Sequence, residues 1–210
     1  WKSEQMEKEM VQHEEVGLWE QIFSRSNLLS ALARVQTNKG APGVDGMTVE
    51  ALPEHLKAHW ESIRAKLEAG SYRPSPVRRV EIPKPNGGIR VIGIPTVRDR
   101  LIQEAMHQIL SQEYETRFSE HSYGLRPGRS AHDAVKAARE NIEAGNSWVV
   151  DIDLAKFFDT VNHDRLMARM KADIGDKRVL RLVNEYLKAG VMVNGVIIET
   201  EEGTPQGGPL

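Results

Sequence analysis

Two spacings of apolar residues run through this chain, one of three to four residues and one of two residues. The first predicts amphipathic helices, because every third or fourth side chain of a helix shares a face. The second predicts strands that bury one face. Helices are predicted at residues 18–36, 48–69, 96–117, 130–143, 163–172 and 176–189, and strands at residues 77–82, 89–94, 150–154, 191–193 and 196–199.

Turn and capping residues separate these elements. Residues 85–88 (PNGG) follow the first strand and Asn194-Gly195 follows the fourth, so two hairpins are predicted. Thr48, Thr96 and Ser130 are predicted N-caps, since their side chains can accept hydrogen bonds from the first free N–H groups of a helix.

Carboxylates mark the third predicted strand, which lies in the run from Val149 to Asp159. Asp151 and Asp153 are two residues apart, so on a strand they project from the same face. Adjacent carboxylates repel each other, and a bound cation offsets that cost. The run is compatible with a metal site and also with a strand end whose carboxylates are solvated.

The composition is that of a globular chain with a local excess of positive charge. Of 210 residues, 40% are hydrophobic and 28% are charged. The chain has no cysteine, which excludes disulfides and thiolate metal sites, and no apolar run is long enough to span a membrane. The net charge is −2, yet residues 73–100 carry a local net charge of +5. This segment predicts a surface for phosphates, or a solvated strand face balanced by acidic residues elsewhere.

Two glycine-rich segments lie outside the predicted elements. In residues 38–46, Lys39, Gly40 and Gly43 could let the backbone approach phosphates, although such a loop can also be a plain turn. Residues 203–210 form a second loop that ends in an apolar residue. Because such a loop normally leads into another element, we expect the chain to be part of a longer protein. The Glu-rich start of the chain resembles neither a signal peptide nor a transit peptide.

Five blocks of sequence resemble the fingers and palm of group II intron-encoded reverse transcriptases, which are also called maturases. They stand in the order and at the spacing of that family. The blocks are residues 40–46 (GAPGVDG), the hairpin of residues 82–95, residues 123–132 (YGLRPGRSAH), the aspartate run with its continuation to residue 164, and residues 202–210 (EGTPQGGPL).

The resemblance implies an α+β right-hand polymerase fold, in which a β-hairpin and helices surround an incomplete antiparallel palm sheet. It divides the chain into an N-terminal extension (residues 1–17), fingers (18–122), and a third part (123–210) that holds the rest of the fingers and part of the palm. The implied reaction is RNA-directed DNA synthesis by two-Mg²⁺ nucleotidyl transfer. The implied partners are template and intron RNA, a DNA primer and deoxynucleoside triphosphates, in a bacterial or archaeal cytosol and without a membrane.

The same resemblance assigns a metal ligand and a sugar contact. In the family pattern, a metal-binding aspartate precedes by five residues an aromatic residue that contacts the incoming sugar, and Asp153 and Phe158 have this spacing. Asp153 and the backbone carbonyl of Leu154 are therefore the implied Mg²⁺ ligands. Phe158 is the implied steric gate against a ribose 2′-hydroxyl. Phe157 is interpreted as a core residue.

Further residues resemble the family's nucleotide and template contacts. Lys84 and Arg90 resemble its triphosphate ligands, since both side chains suit phosphate oxygens. Gln206 resembles the residue that packs near the nascent base pair. The residues implied for template or RNA binding are Lys39, Gly40, Gly43, Arg78, Arg79, Arg126 and Arg129. For Arg126 and Arg129, ordering of the palm is an alternative that the sequence leaves open.

The catalytic set of the family extends past the residues of this chain. It includes a further aspartate pair in a Tyr-x-Asp-Asp turn after the Gln206 block, and the 210 residues contain no such turn. We therefore expect the chain by itself not to polymerise. Two other functions stay open, namely an RNA-binding splicing cofactor without catalysis and a reverse transcriptase tied to a CRISPR system.

Overall fold

The computed structural model describes residues 16–85 and 87–204. The α-helices in these ranges are α1 (Leu18–Ile22), α2 (Arg25–Asn38), α3 (Leu52–Glu68), α4 (Val97–Glu115), α5 (Ala131–Glu143), α6 (His163–Asp173) and α7 (Lys177–Leu187). The strands are β1 (Val77–Pro83), β2 (Ile89–Ile94), β3 (Val191–Val193) and β4 (Val196–Ile198), and a 3₁₀ helix spans Phe157–Thr160. The α+β class predicted from the sequence is confirmed.

Helix α4 is the centre of the hydrophobic core. Its residues Leu101, Ile102 and Met106 are at most 2% exposed, and α2 packs along it. Helix α3 adds Leu52 and helix α7 adds Val179, both fully buried. Burying side chains of this size stabilises a fold by about 1.5–3 kcal/mol each. None of the helices within the described ranges combines the length and the apolar character that crossing a membrane requires.

The first predicted helix is interrupted. Helix α1 ends at Ile22, and Ser24 caps α2 by accepting a hydrogen bond from the Asn27 N–H (3.3 Å). The Asn27 side chain donates to the carbonyl oxygens of Ile22 (2.7 Å) and Ala105 (2.9 Å). This polar side chain therefore satisfies the carbonyl left free at the break and ties it to α4.

Two of the three predicted caps are confirmed. Thr96 accepts from the Asp99 N–H at 3.2 Å, and Ser130 forms a reciprocal capping box with Asp133. The prediction for Thr48 is wrong, because α3 begins four residues later. Pro53 stands in the first turn of α3, where a missing N–H costs no helical hydrogen bond.

The four strands form one sheet in the order β2-β1-β3-β4. Both predicted hairpins are present, and Asn194 and Gly195 have the positive φ angles (50° and 83°) that a tight two-residue turn requires. Strands β1 and β3 pair in parallel, with Val77 opposite Val191. The sheet thus connects the β1–β2 hairpin to the β3–β4 hairpin.

The predicted strand at residues 150–154 is wrong. The segment has no regular secondary structure, and Val150 and Ile152 are 82% and 81% exposed. An alternating sequence becomes a strand only where another backbone supplies hydrogen bonds, and none of the described strands pairs with this segment. Asp151 and Asp153 are therefore carried by an exposed, unpaired backbone.

Candidate functional site

A cavity of about 890 Å³ lies between the β1–β2 hairpin and the segment that carries the aspartates. One wall comes from the hairpin and the other from the residues around the 3₁₀ helix. The lining residues are Arg79, Lys84, Ile89, Arg90 and Val91 on the hairpin side, and residues 152–154 and 156–159 on the other side. Segments far apart in the sequence therefore enclose one space.

Most of the residues predicted for metal and nucleotide binding meet in this cavity. Lys84, Arg90, Asp153, Leu154 and Phe158 all line it. Gln206 lies outside the described residues. The structure thus brings together five residues whose roles were implied by separate sequence blocks.

The cavity is lined by positive charge on both walls. Within the described ranges, Lys84 and Arg90 form no ion pair, whereas Arg79 pairs with Glu81 at 2.7 Å. Asp153 and Asp159 line the same space. Such a mixture suits a ligand that carries both anionic groups and a cation.

Asp153 is the candidate metal ligand. Its Oδ1 accepts a hydrogen bond from the Leu154 N–H (2.9 Å), and the side chain is exposed. No group of three His, Asp or Glu side chains in residues 16–85 and 87–204 could hold a metal ion. Mg²⁺ is commonly bound by one or two carboxylates together with substrate phosphates and water. The donors present therefore fit a Mg²⁺ ion that binds with phosphates, rather than one enclosed by protein ligands.

Phe158 is fixed by contacts of its ring and of its backbone. Its ring meets that of Phe157 edge to face, with 5.6 Å between centroids, and its carbonyl accepts from the Thr204 N–H at 2.7 Å. His163 is buried and donates from Nε2 to the Gly203 carbonyl at 2.7 Å. These hydrogen bonds hold residues 203 and 204, which precede Gln206, against the 3₁₀ helix and the start of α6.

Phe157 is 52% exposed, so the interpretation of this residue as part of the core is wrong.

The glycine-rich loop of residues 40–46 packs on protein, away from the cavity lining. A Cβ atom on Gly43 would stand 2.6 Å from the Cα of Thr96, so only glycine allows this approach to the start of α4. Arg100 and Arg78 donate to the carbonyl oxygens of residues 41 and 42, at 2.7 and 3.0 Å. The close approach that the sequence suggested for phosphate is made here to the protein's own backbone.

Arg126 and Arg129 both order the turn-rich segment before α5. Arg126 is almost buried and donates to the Glu115 carboxylate (2.7 Å) and to the carbonyl oxygens of Ser119 and Ser122. This hydrogen bond lowers the pKa of Glu115 below its usual value. Arg129 donates to the Glu120 carbonyl oxygen, and its guanidinium lies over the Tyr123 ring, 5.5 Å from the ring centre. Of the two alternatives, these contacts favour the ordering role.

Sequence reasoning missed two charged residues of the cavity, Lys156 and Asp159. Lys156 lies between Asp153 and Phe158 in sequence and lines the same space. Its charge, inside a run already singled out for metal binding, was the available signal. No motif predicted the left-handed backbone that it adopts.

Comparison with known proteins identifies the family. The family described as reverse transcriptase (RNA-dependent DNA polymerase) matches residues 82–210. Protein YkfC of Escherichia coli is 38% identical over 196 residues, covering 90% of this chain and 51% of that protein. The group II intron-encoded protein LtrA of Lactococcus lactis is 37% identical over 181 residues, covering 86% of this chain and 30% of that protein. The chain thus spans about half or less of these relatives.

A solved structure agrees in fold. A chain of a partial Cas6-RT-Cas1–Cas2 complex superposes with a TM-score of 0.57 and 22% identity, covering 90% of this chain and 31% of that chain. The cavity, the order of the sequence blocks and the matched residues 82–210 lead to the same assignment. This chain belongs to the reverse transcriptase family, and its relatives confirm the resemblance to the group II intron-encoded members.

Proposed function

We propose that this chain is the N-terminal part of a group II intron-type RNA-directed DNA polymerase, and that its 890 Å³ cavity binds the incoming deoxynucleoside triphosphate. The observation that carries the proposal is the meeting of Lys84 and Arg90 with Asp153 and Phe158 in one space. Each is a residue type that nucleotidyl transfer uses, and the hairpin and the aspartate segment present them to a common ligand.

Each residue then has a separate task. Lys84 and Arg90 bind the phosphate oxygens, the first as a point charge and the second as a fork of donors. Asp153 and the carbonyl of Leu154 hold Mg²⁺, which when bound neutralises charge on the phosphoryl oxygens. Phe158 packs against the sugar and leaves no room for a 2′-hydroxyl. RNA template and DNA primer complete the set of proposed partners.

The two-metal site that the resemblance implies includes an aspartate pair in a Tyr-x-Asp-Asp turn, which these 210 residues do not contain. Two-metal phosphoryl transfer stabilises both the attacking and the leaving oxygen, and Asp153 alone cannot hold both ions. The chain by itself is therefore expected to bind nucleotide without extending a primer. Mg²⁺-dependent primer extension by the purified chain would contradict this inference.

Calorimetric titration of the 210-residue chain with dATP and Mg²⁺ tests the nucleotide site. Arg90→Gln is expected to weaken dATP binding about tenfold, because it removes a charge-assisted hydrogen bond. Arg64→Gln is the matched control, since Arg64 lies on α3 and, among residues 16–85 and 87–204, forms an ion pair with Glu68 alone. Equal affinities for the two variants would refute the site. In the intact polymerase, Asp153→Ala is expected to abolish primer extension and leave RNA affinity unchanged.

A second candidate function is RNA binding in support of splicing, which the +5 charge of residues 73–100 favours. If phosphate contacts dominate, affinity for intron RNA falls steeply as salt is raised. A flat salt response, or equal affinity for random RNA, would argue against it.

The function in a CRISPR system has only the fold likeness at 22% identity in its favour. We place the protein in a bacterial or archaeal cytosol, consistent with its lack of cysteine.

A further inference from the structure

Lys156 brings a positive charge to the cavity from the wall opposite the hairpin. It lines the same space as Lys84 and Arg90. Among the residues that the structure describes, it has no carboxylate within ion-pair distance. Its ammonium group, which has three donors and no acceptor, therefore lacks a strong partner within the protein.

The backbone of Lys156 is unusual. Its φ and ψ of 51° and 36° place it in the left-handed region, which is disfavoured for a residue with a Cβ atom. The conformation is held by the Lys156 carbonyl, which accepts from the N–H groups of Asp159 (2.9 Å) and Thr160 (3.1 Å). Glycine would adopt the same turn without strain. A lysine at a position where glycine would fit better motivates the search for a function of its side chain.

The charges around Lys156 indicate what that function is. Asp153 and Asp159 line the same wall, and both repel a phosphate chain. On the hairpin, the charge of Arg79 is already shared with Glu81. A cation within the carboxylate-bearing wall offsets the repulsion where phosphates pass from the hairpin toward Asp153.

We propose that Lys156 is a third phosphate-binding residue, which holds the triphosphate of the incoming nucleotide from the palm side while Lys84 and Arg90 hold it from the hairpin. This inference rests on the proposed nucleotide site. It adds to that site a specificity for nucleotides whose phosphate chain is long enough to reach both walls. On this proposal, a monophosphate is expected to contact one wall only.

Titration of the 210-residue chain with inorganic tripolyphosphate, without Mg²⁺, isolates the phosphate contacts from base, sugar and metal. Lys156→Gln is expected to weaken tripolyphosphate binding about fivefold to tenfold, and Lys156→Arg to restore it within about twofold, because the charge returns. Lys66→Gln, on the exposed face of α3, is the matched control and is expected to leave binding unchanged. Monophosphate binding is expected to be weak and insensitive to Lys156→Gln.

A second variant separates function from folding. Lys156→Gly removes the charge and also the backbone strain, so it is expected to unfold at or above the wild-type temperature and still bind tripolyphosphate as weakly as Lys156→Gln. Restored binding in Lys156→Gly would overturn the proposal, because it would show that only the turn matters.

The outcomes also distinguish this inference from the proposed function. If Arg90→Gln weakens tripolyphosphate binding and Lys156→Gln does not, the nucleotide site stands and the role of Lys156 is refuted. If wild-type chain binds no tripolyphosphate, both fail. If Lys156→Gln lowers affinity for a single-stranded RNA and not for tripolyphosphate, Lys156 is a nucleic-acid contact and the proposal is overturned.

Discussion

The core around α4 and the segment of residues 147–160 contain the same kinds of side chain in opposite surroundings. Leu101 in α4 is 2% exposed, whereas Leu154 beside the cavity is 65% exposed. Asp99 is fully buried, whereas Asp153 is exposed. Because burial of apolar surface provides most folding free energy, the first region stabilises the chain and the second can carry chemistry at little cost to stability.

The two aspartates make the difference clear. Asp99 accepts hydrogen bonds from the hydroxyl groups of Tyr72 and Thr96 (both 2.6 Å) and from the Ser75 N–H (3.1 Å). Burial, and then the charge of Asp99, raise the pKa of Tyr72 well above its ordinary value, so its hydroxyl stays protonated and donates. From the residues that the structure describes, Asp153 accepts one local hydrogen bond, which leaves its other lone pairs open to a ligand. A carboxylate whose lone pairs all accept hydrogen bonds stabilises the fold, whereas one with free lone pairs is available to bind a cation.

Truncating one leucine in each region tests this contrast most strongly. Leu101→Ala is expected to lower the free energy of unfolding by about 3 kcal/mol, because it removes buried methyl groups and leaves a cavity. Leu154→Ala is expected to change it by less than about 0.5 kcal/mol. Urea unfolding followed by circular dichroism measures both. A loss of more than about 2 kcal/mol in Leu154→Ala would show that residues 147–160 pack more tightly than the structure shows.

Substituting Asp99 and Asp153 is expected to show the same contrast in stability between the two regions, with a smaller difference than the two leucines. Asp99→Asn is expected to destabilise by about 2 kcal/mol, because an NH₂ group would face the donors that now surround a carboxylate. Asp153→Asn is expected to change stability by less than about 0.5 kcal/mol and to abolish the Mg²⁺-dependent part of dATP binding. Unfolding curves and calorimetry of the two variants separate these effects. The contrast fails if Asp153→Asn unfolds as readily as Asp99→Asn.

The success of the sequence-based predictions also differs between the packed part of the fold and the exposed segment of residues 147–160. The helices after the first, two of the three caps and both hairpins were predicted correctly because their signals are local, as with Ser130 and Asp133 or with Asn194-Gly195. The strand at residues 150–154 was predicted wrongly, since alternation shows only that a segment can pair and not that a partner is present. The interruption before Ser24 was missed although Ser24 is a local N-cap signal, whereas the bond from Asn27 to a carbonyl of α4 is long-range and could not be predicted.

The candidate site shows the same limits. The resemblance to the reverse transcriptase family selected Asp153, Phe158, Lys84 and Arg90, and these residues meet in one cavity. Lys156 was missed because its place in the cavity comes from a left-handed turn, which a lysine rarely adopts. The packing of Gly43 on Thr96 could not be predicted either, because a glycine that approaches a phosphate and one that approaches a backbone look alike in sequence.

Two glycines provide the smallest test of the contrast between packed and open regions. Gly43→Ala is expected to destabilise by about 1.5 kcal/mol, because its Cβ would stand 2.6 Å from the Cα of Thr96 and the loop would have to move. Gly124 meets no atom within 4 Å of an added Cβ and has no positive φ, so Gly124→Ala is expected to be neutral or to stabilise by about 0.5 kcal/mol. Thermal unfolding measures both changes. RNA affinity of the folded fraction then separates the two roles of Gly43: unchanged affinity supports a purely structural glycine, and a loss confined to Gly43→Ala supports a template contact in the same loop.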